Sequence, residues 1–181
     1  MLHLELIDQC ERLTSLQQEW SALAAAAQNI PIFLTWEWIT IWWQHYGQGH
    51  DLYVVTARDD DGELVGIAPW MILKRHWMAQ PVRCVAFIGT GEVYPAHMDV
   101  IARPGDEDRV AASFAGYLGE HVDDWDALDF VSVSGDSMLP KYLAQGDGRH
   151  ASGGEMNCLY IPLEVDWETY QQVHMSAKQR R

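Results

Sequence analysis

Apolar residues recur along this chain with two different periods, and the switches between them set the order of elements. His3-Leu4-Glu5-Leu6-Ile7 alternates and predicts a first strand. Asp8 and Glu11 form a capping-box-like pair, after which Leu13, Leu16, Trp20, Leu23 and Ala27 recur at steps of three and four. That spacing predicts a helix with one apolar face. Asn29 to Pro31 breaks the pattern. A second helix is predicted between Thr35, placed to cap its start, and Gly47, placed to end it in the left-handed conformation. It holds Trp36, Trp38, Trp42 and Trp43, four of the chain's nine tryptophans. Trp36, Ile39, Trp43 and Tyr46 share one face, while Trp38, Ile41, Trp42 and His45 spread over the rest, so the helix is expected to be covered on two sides with Trp43 in the core.

From Leu52 the period shortens. Leu52 to Arg58 and Glu63 to Leu73 are apolar, β-branched runs on either side of Asp59-Asp60-Asp61-Gly62, which predicts an antiparallel hairpin. Gly66 and Pro69 predict a bulge or an edge in its second strand, because proline cannot donate to the ladder. Further strands are predicted over Val82 to Ile88, Met98 to Ala102 and Leu128 to Val133, with a helix capped by Asp106 that turns Val110, Phe114, Tyr117, Leu118 and Val122 inward. A short helix from Met138 to Leu143, a Gly-rich loop from Gly146 to Gly154 and a strand from Met156 to Leu163 follow. Asp166 caps a last helix with Trp167, Tyr170 and Val173. It reaches Arg181 without a glycine or proline stop and is expected to continue. This order defines an α+β (mixed α/β) class with a mostly antiparallel sheet flanked by helices.

Composition narrows the function classes. No apolar run approaches the ~20 residues of a membrane-spanning helix, and Met1-Leu2-His3-Leu4-Glu5 has no secretory signature, so a cytoplasmic location is expected. The formal net charge of -14 repels a phosphate backbone and argues against nucleic acid as partner. Cys10, Cys84 and Cys158 lack any Cys-x-x-Cys spacing, and all three are expected to be buried thiols.

Candidate chemistry gathers in the loop Gly89-Thr90-Gly91-Glu92-Val93-Tyr94-Pro95-Ala96-His97-Met98-Asp99. Its glycines let backbone approach a ligand, and Glu92, Tyr94, His97 and Asp99 offer carboxylates, a phenol and an imidazole. The same residues also suit a loop that only satisfies its own backbone. His97-x-Asp99 is too short for a metal site, and Gly89-x-Gly91 precedes neither a third glycine nor a helix. No Gly-x-Ser-x-Gly elbow occurs, and Ser134-Gly135-Asp136-Ser137 has no base partner assigned. With no basic residues interleaved, the tryptophan helix reads as core and not as a base-stacking platform.

Several of these segments together resemble a known family. Phe33-Leu34 with Trp36, Trp42-Trp43 and Gly47, then Gly62-Glu63-Leu64-Val65-Gly66-Ile67-Ala68-Pro69, are similar to the opening of GNAT-superfamily acetyltransferases of the CelD/BcsL type. Phe87-Ile88-Gly89-Thr90-Gly91-Glu92, Asp99, Arg103-Pro104-Gly105, Trp125-Asp126-x-Leu128-Asp129, Trp167-x-x-Tyr170 and Ser176 to Arg181 follow in the same order. The resemblance spans nearly the whole chain. It implies a GNAT-like lobe over residues 1–175, with the basic segment 176–181 leading into a second, acetyl-CoA-binding lobe, as in FemAB-like double-GNAT proteins. The Arg/Gln-x-x-Gly-x-Gly/Ala signature for the acyl-CoA pyrophosphate does not occur in these residues.

The implied chemistry is attack of an amine on an acyl thioester, with acetyl-CoA as cosubstrate bound mainly by the second lobe and no metal. The acceptor would be a small-molecule or glycan amine. Glu92, Tyr94, His97, Asp99, Lys178 and Arg181 are the candidate acceptor-binding residues, and no catalytic residue is assigned. Asp99 matches an acidic position of the family, whereas His97 stands where a tyrosine is common. Two rival readings remain: a GNAT-like binding module without transfer activity, and a FemAB-like aminoacyltransferase lobe.

Overall fold

The computed structural model describes residues 1–27, 30–146, 148, 151, 153–159, 166–176 and 178. It divides into two compact units, Met1–Gly148 and Arg149–Arg181.

The first unit is built on one long antiparallel ladder. β2 (Asp51–Leu52) and β3 (Val54–Arg58) run as one line, as do β4 (Leu64–Ala68) and β5 (Trp70–Trp77). The register holds from Asp51↔Ile72 to Ala57↔Gly66 and then shifts at a bulge between Ala57 and Arg58. The Asp59–Gly62 turn thus closes the predicted hairpin. β1 (His3–Ile7) joins the far edge of β3, giving the sheet order β1-β3-β4-β7, where β7 is Ile101–Ala102. β6 (Gln80–Phe87) folds back on β5 and pairs in parallel with β8 (Ala127–Leu128), giving the second order β2-β5-β6-β8.

Pro69 lies where the two sheets meet. It lacks an N–H, but its carbonyl accepts from Ile88 N at 2.9 Å, so proline sits inside the long strand line without an unpaired donor. On the open flank of that line β6 leaves after this bond, and β7 takes its place at Ile67↔Ile101. The loop over residues 89–100 leaves the sheet between the two.

Helices α1 (Cys10–Ser15), α2 (Gln17–Ala26) and α3 (Trp36–Tyr46) come before the ladder. Leu13, Leu16, Trp20 and Leu23 are buried, as their spacing predicts, although Asp8 makes no cap and Gln9 takes the N-cap position. Two indole donors tie the helices together: Trp20 Nε1 to Leu34 O at 2.9 Å and Trp36 Nε1 to Leu13 O at 3.1 Å. On α3 the buried pair is Ile39 and Trp42, not Trp36, Ile39, Trp43 and Tyr46. The packing stripe is narrower than predicted because α3 turns one edge to α2, while Tyr46 and Ile41 face solvent. Thr35 does cap α3, accepting from Trp38 N. Gly47 is right-handed, with φ of -68°, and is needed for space instead: a Cβ there would lie 2.7 Å from the Trp43 ring.

α4 (Glu107–Glu120) crosses between β7 and β8 and buries Val110, Phe114, Tyr117 and Leu118. Val122 falls in the following 3-10 turn and is exposed. Asp106 caps α4 with no side-chain hydrogen bond, pairing with Arg103 and Arg109 instead. The predicted strand over 128–133 shrinks to β8 plus a single bridge, Met98↔Val133. α5 (Leu139–Leu143) seats Leu139 in the core. Of the cysteines only Cys84 is buried; Cys10 and Cys158 are exposed, because Cys10 sits on the outer face of the first turn of α1 and Cys158 in an extended stretch.

The second unit contains α6 (Trp167–His174), capped by Asp166, which accepts from Thr169 N at 2.9 Å. Trp167 and Tyr170 stack with centroids 5.9 Å apart. The expected strand from Met156 is absent over 156–159, and its remainder lies outside the described residues.

Candidate functional site

The loop over residues 89–100 begins at a glycine that no other residue could replace without strain. Gly89 has φ of +109°, and a Cβ on it would lie 2.6 Å from the Trp38 ring. Trp38, Phe33 and Pro95 pack around this point, with Phe33 and Trp38 edge to face at 5.3 Å. Thr90 is buried, and its Oγ1 has no partner among the described residues. The next turn closes by Val93 N to Gly89 O at 3.4 Å.

The far end of the loop is held by a carboxylate. Asp99 Oδ1 accepts from Ser137 Oγ at 2.6 Å and from Val100 N at 2.7 Å, and Ser137 Oγ accepts in turn from Leu139 N at 3.2 Å. Burial pushes the Asp99 carboxyl above the ordinary aspartate value, against the pull of these two donors. Met98, next to it, is fully buried and bridges in parallel to Val133. Both residues preceding that bridge, His97 and Ser132, are left-handed, with φ of 56° and 55°. Non-glycine residues in that region are uncommon, and here a pair of them lets two loop segments meet side by side.

Between these anchors the polar groups point outward. Tyr94 is 97% exposed, and Glu92 and His97 are also exposed. The structure brings Glu92 near His50, whose imidazole burial holds below its usual value, while the Glu92 and Asp51 carboxylates pull it back up. The four loop candidates therefore divide. Asp99 is a partly buried anchor, whereas Glu92, Tyr94 and His97 form the accessible rim. Lys178 is exposed in the second unit, and Arg181 lies outside the described residues. Among the described residues no group of three His, Cys, Asp or Glu side chains is arranged to hold a metal ion, and no helix is long and apolar enough to cross a membrane.

Ser137, His50 and Trp38 were not assigned to this site from sequence. Ser137 lies 38 positions from Asp99, and no local spacing signals such a contact.

A second polar network lies apart from the loop. Tyr53 donates to Asp124 Oδ2 at 3.0 Å and packs against Tyr117, whose ring stacks on His121 at 3.9 Å. Burial, with the Asp124 hydrogen bond, pushes the Tyr53 phenol far above its ordinary value.

No family model matches the chain, and no curated protein matches it. Among solved structures it is similar to an aminoglycoside antibiotic 6'-N-acetyltransferase from Acinetobacter baumannii. There the identity is 12%, the match covers 92% of this chain and 100% of the other, and the TM-score is 0.45. It is also similar to a probable acetyltransferase (10% identity, 90% and 98% coverage, TM-score 0.49). A ribosomal-protein-alanine N-acetyltransferase from Brucella melitensis biovar Abortus 2308 is a third (12% identity, 88% and 100% coverage, TM-score 0.41). At these scores the α+β class, with its antiparallel ladder and flanking helices, rests on the strand order and register themselves.

Proposed function

We propose that this chain is the acceptor-side, N-terminal lobe of a GNAT-type N-acyltransferase that moves an acetyl or acyl group from acyl-CoA to an amine of a polar acceptor. The ordered motifs shared with the CelD/BcsL-type family support this reading. One observation carries it: the Gly89–Asp99 loop leaves the sheet where β6 parts from the long strand line and β7 takes over. A rigid root with an exposed polar rim suits the binding of a polar acceptor.

In the proposed reaction the acceptor nitrogen forms a bond to the thioester carbonyl carbon, the carbon–sulfur bond breaks, and the CoA thiolate takes up the proton released by the amine. Glu92, Tyr94 and His97 would position the acceptor, with Asp99 holding the loop that carries them. The donor would be bound by a second lobe following residue 181.

The test is acyl transfer by the protein encoded by the complete reading frame, followed as CoA thiol release from acetyl-CoA with a panel of polar amines that includes amino sugars. Thiol release that depends on the amine and falls in Glu92→Ala and Tyr94→Ala is the expected result. A folded full-length protein that neither binds acetyl-CoA nor releases thiol with any amine would favour the binding-module alternative.

A further inference from the structure

An open groove of about 530 Å³ lies where the start of α1 meets the end of α3, lined by Cys10, Thr14, Trp43, Gln44, Gln48 and His50, among others. Small-molecule clefts commonly enclose ~300–1,000 Å³. Trp43 supplies the apolar wall, and its ring is fixed in place. Nε1 donates to Cys10 Sγ at 3.2 Å, and a Cβ at residue 47 would lie 2.7 Å from Cδ2 and 2.8 Å from Cε2 of the indole. Glycine at 47 therefore lets the ring rest on the backbone, and what stays accessible of this half-buried side chain lines the groove. Gly49, at φ of +92°, has open space where a side chain would stand, so nothing at that position closes the groove.

The polar part of the lining is amide and hydroxyl. None of the ten lining residues is Lys, Arg, Asp or Glu, and the burial that lowers the His50 imidazole keeps it neutral at pH 7. Gln44 and Gln48 are exposed, and their side chains have no hydrogen-bond partner among the described residues. Each therefore offers an NH₂ donor and a carbonyl acceptor side by side. Thr14 and Thr40 donate to Cys10 O and Trp36 O and keep their oxygen lone pairs. The nearest uncommitted charge comes from the loop. Glu92 acts on His50 and forms no ion pair among the described residues, whereas Asp51, also beside His50, is engaged by Lys74 at 2.8 Å.

We infer that this groove is the subsite for the sugar ring of an amino-sugar acceptor, with the ring against the Trp43 indole, its hydroxyls on Gln44 and Gln48, and its nitrogen turned toward Glu92. The inference rests on the acyl-transfer reading and names the class of acceptor within it. A pyranose combines an apolar C–H face with a rim of hydroxyls that both donate and accept. The face suits an indole surface, and the hydroxyls suit uncharged primary amides. A linear polyammonium chain only donates, so it would use the amide oxygens and leave the NH₂ groups idle. A phosphate or a CoA pyrophosphate meets no cation in the lining and faces the net charge of -14. Glu92 belongs to the loop rim and acts on His50 of the groove, so one ligand can reach both.

The experiment follows the indole N–H resonance of Trp43, assigned with Trp43→Phe, in the isotope-labelled 181-residue chain. The chain is titrated with glucosamine, galactosamine and mannosamine, and separately with glucose, putrescine and inorganic phosphate. Expected is a saturable shift with at least one amino sugar, a weaker response to glucose, which lacks the nitrogen, and none to putrescine or phosphate. Gln44→Ala/Gln48→Ala should raise the Kd by about tenfold or more, since two hydrogen-bonding heads are lost. Both side chains are exposed, and an unchanged melting temperature separates lost binding from lost fold. No shift with any of the three amino sugars overturns the inference, as does an equal shift with putrescine or an affinity indifferent to the double variant. The acyl-transfer reading fails separately. Saturable binding in a full-length protein that releases no thiol supports the sugar groove and counts against transfer. Thiol release from an amino sugar with a KM unmoved by Gln44→Ala/Gln48→Ala overturns the groove and leaves transfer standing.

Discussion

Ser137 Oγ and Asp99 Oδ1 lie 2.6 Å apart, and this hydrogen bond fastens the far end of the candidate acceptor loop to the segment that leads into α5. The carboxylate is partly buried and accepts a second bond from Val100 N. Anchoring is therefore the role of Asp99 that geometry favours, and the accessible chemistry of the loop belongs to Glu92, Tyr94 and His97.

Asp99→Asn keeps an oxygen acceptor for both donors and removes a poorly solvated charge. Because burial raises the folded-state value above the unfolded one, the favourable contribution of protonated Asp99 is complete below about pH 4 and is lost as pH rises through the raised value. Melting temperature measured against pH should decline less steeply in Asp99→Asn than in the parent between pH 4 and neutrality, with the pH 7 value equal or higher. In the acyl-transfer assay proposed above, a fall in thiol release at unchanged melting temperature would mark a positioning role for the charge.

The opposite slope belongs to Glu19. Arg58 holds its carboxyl below the ordinary range through a two-pronged hydrogen bond, so its contribution is present above about pH 4.3 and is lost as pH falls. The Glu19 side chain is 45% exposed, which limits the effect. Glu19→Gln should cost under about 1 kcal/mol at pH 7 in urea unfolding and nothing at pH 3.

Gly89→Ala combines a left-handed backbone with a clash against Trp38. A loss of about 2 kcal/mol or more is expected, since the backbone strain and the displaced ring add. Trp38→Ala/Gly89→Ala should recover part of the loss relative to the sum of the two single changes. Strict additivity in thermal unfolding would place the strain elsewhere.

Trp42 and Trp43 are neighbours on one helix, yet they should behave differently. Trp42 is 3% exposed, so Trp42→Ala should cost about 3 to 5 kcal/mol, whereas the half-buried Trp43 should cost clearly less on truncation. Urea titrations of both variants, read by circular dichroism, give the comparison. Equal losses would restore the broader buried face that residue spacing predicts.

Most element types could be read from the sequence because they rest on local chemistry. Alternation marks β1, the Asp59–Gly62 turn joins two β-branched runs, and the three-and-four spacing of Leu13, Leu16, Trp20 and Leu23 describes a buried face. Thr35 and Asp166 cap their helices through their own side chains. The misreadings arose where a residue has more than one local use. Gly47 stands where a left-handed stop is usual but serves to make room for Trp43, and the Asp106 side chain pairs with arginines in place of a capping bond. The α3 face was drawn from periodicity alone, which gives the angular position of each tryptophan but not the width of the surface packed against it.

The sequence by itself determined the class of fold, the hairpin at its centre and the loop in which titratable groups collect, because each follows from contacts within a few residues. Only the tertiary structure decided how that loop is used. It joined Ser137 to Asp99, set Trp38 against Gly89, brought Glu92 near His50, and left the Trp77–Met78 tip without cover. These relationships link residues far apart in the chain. They depend on where β6 gives way to β7 beside Pro69, a geometry fixed by the packing of whole elements and invisible to any local pattern.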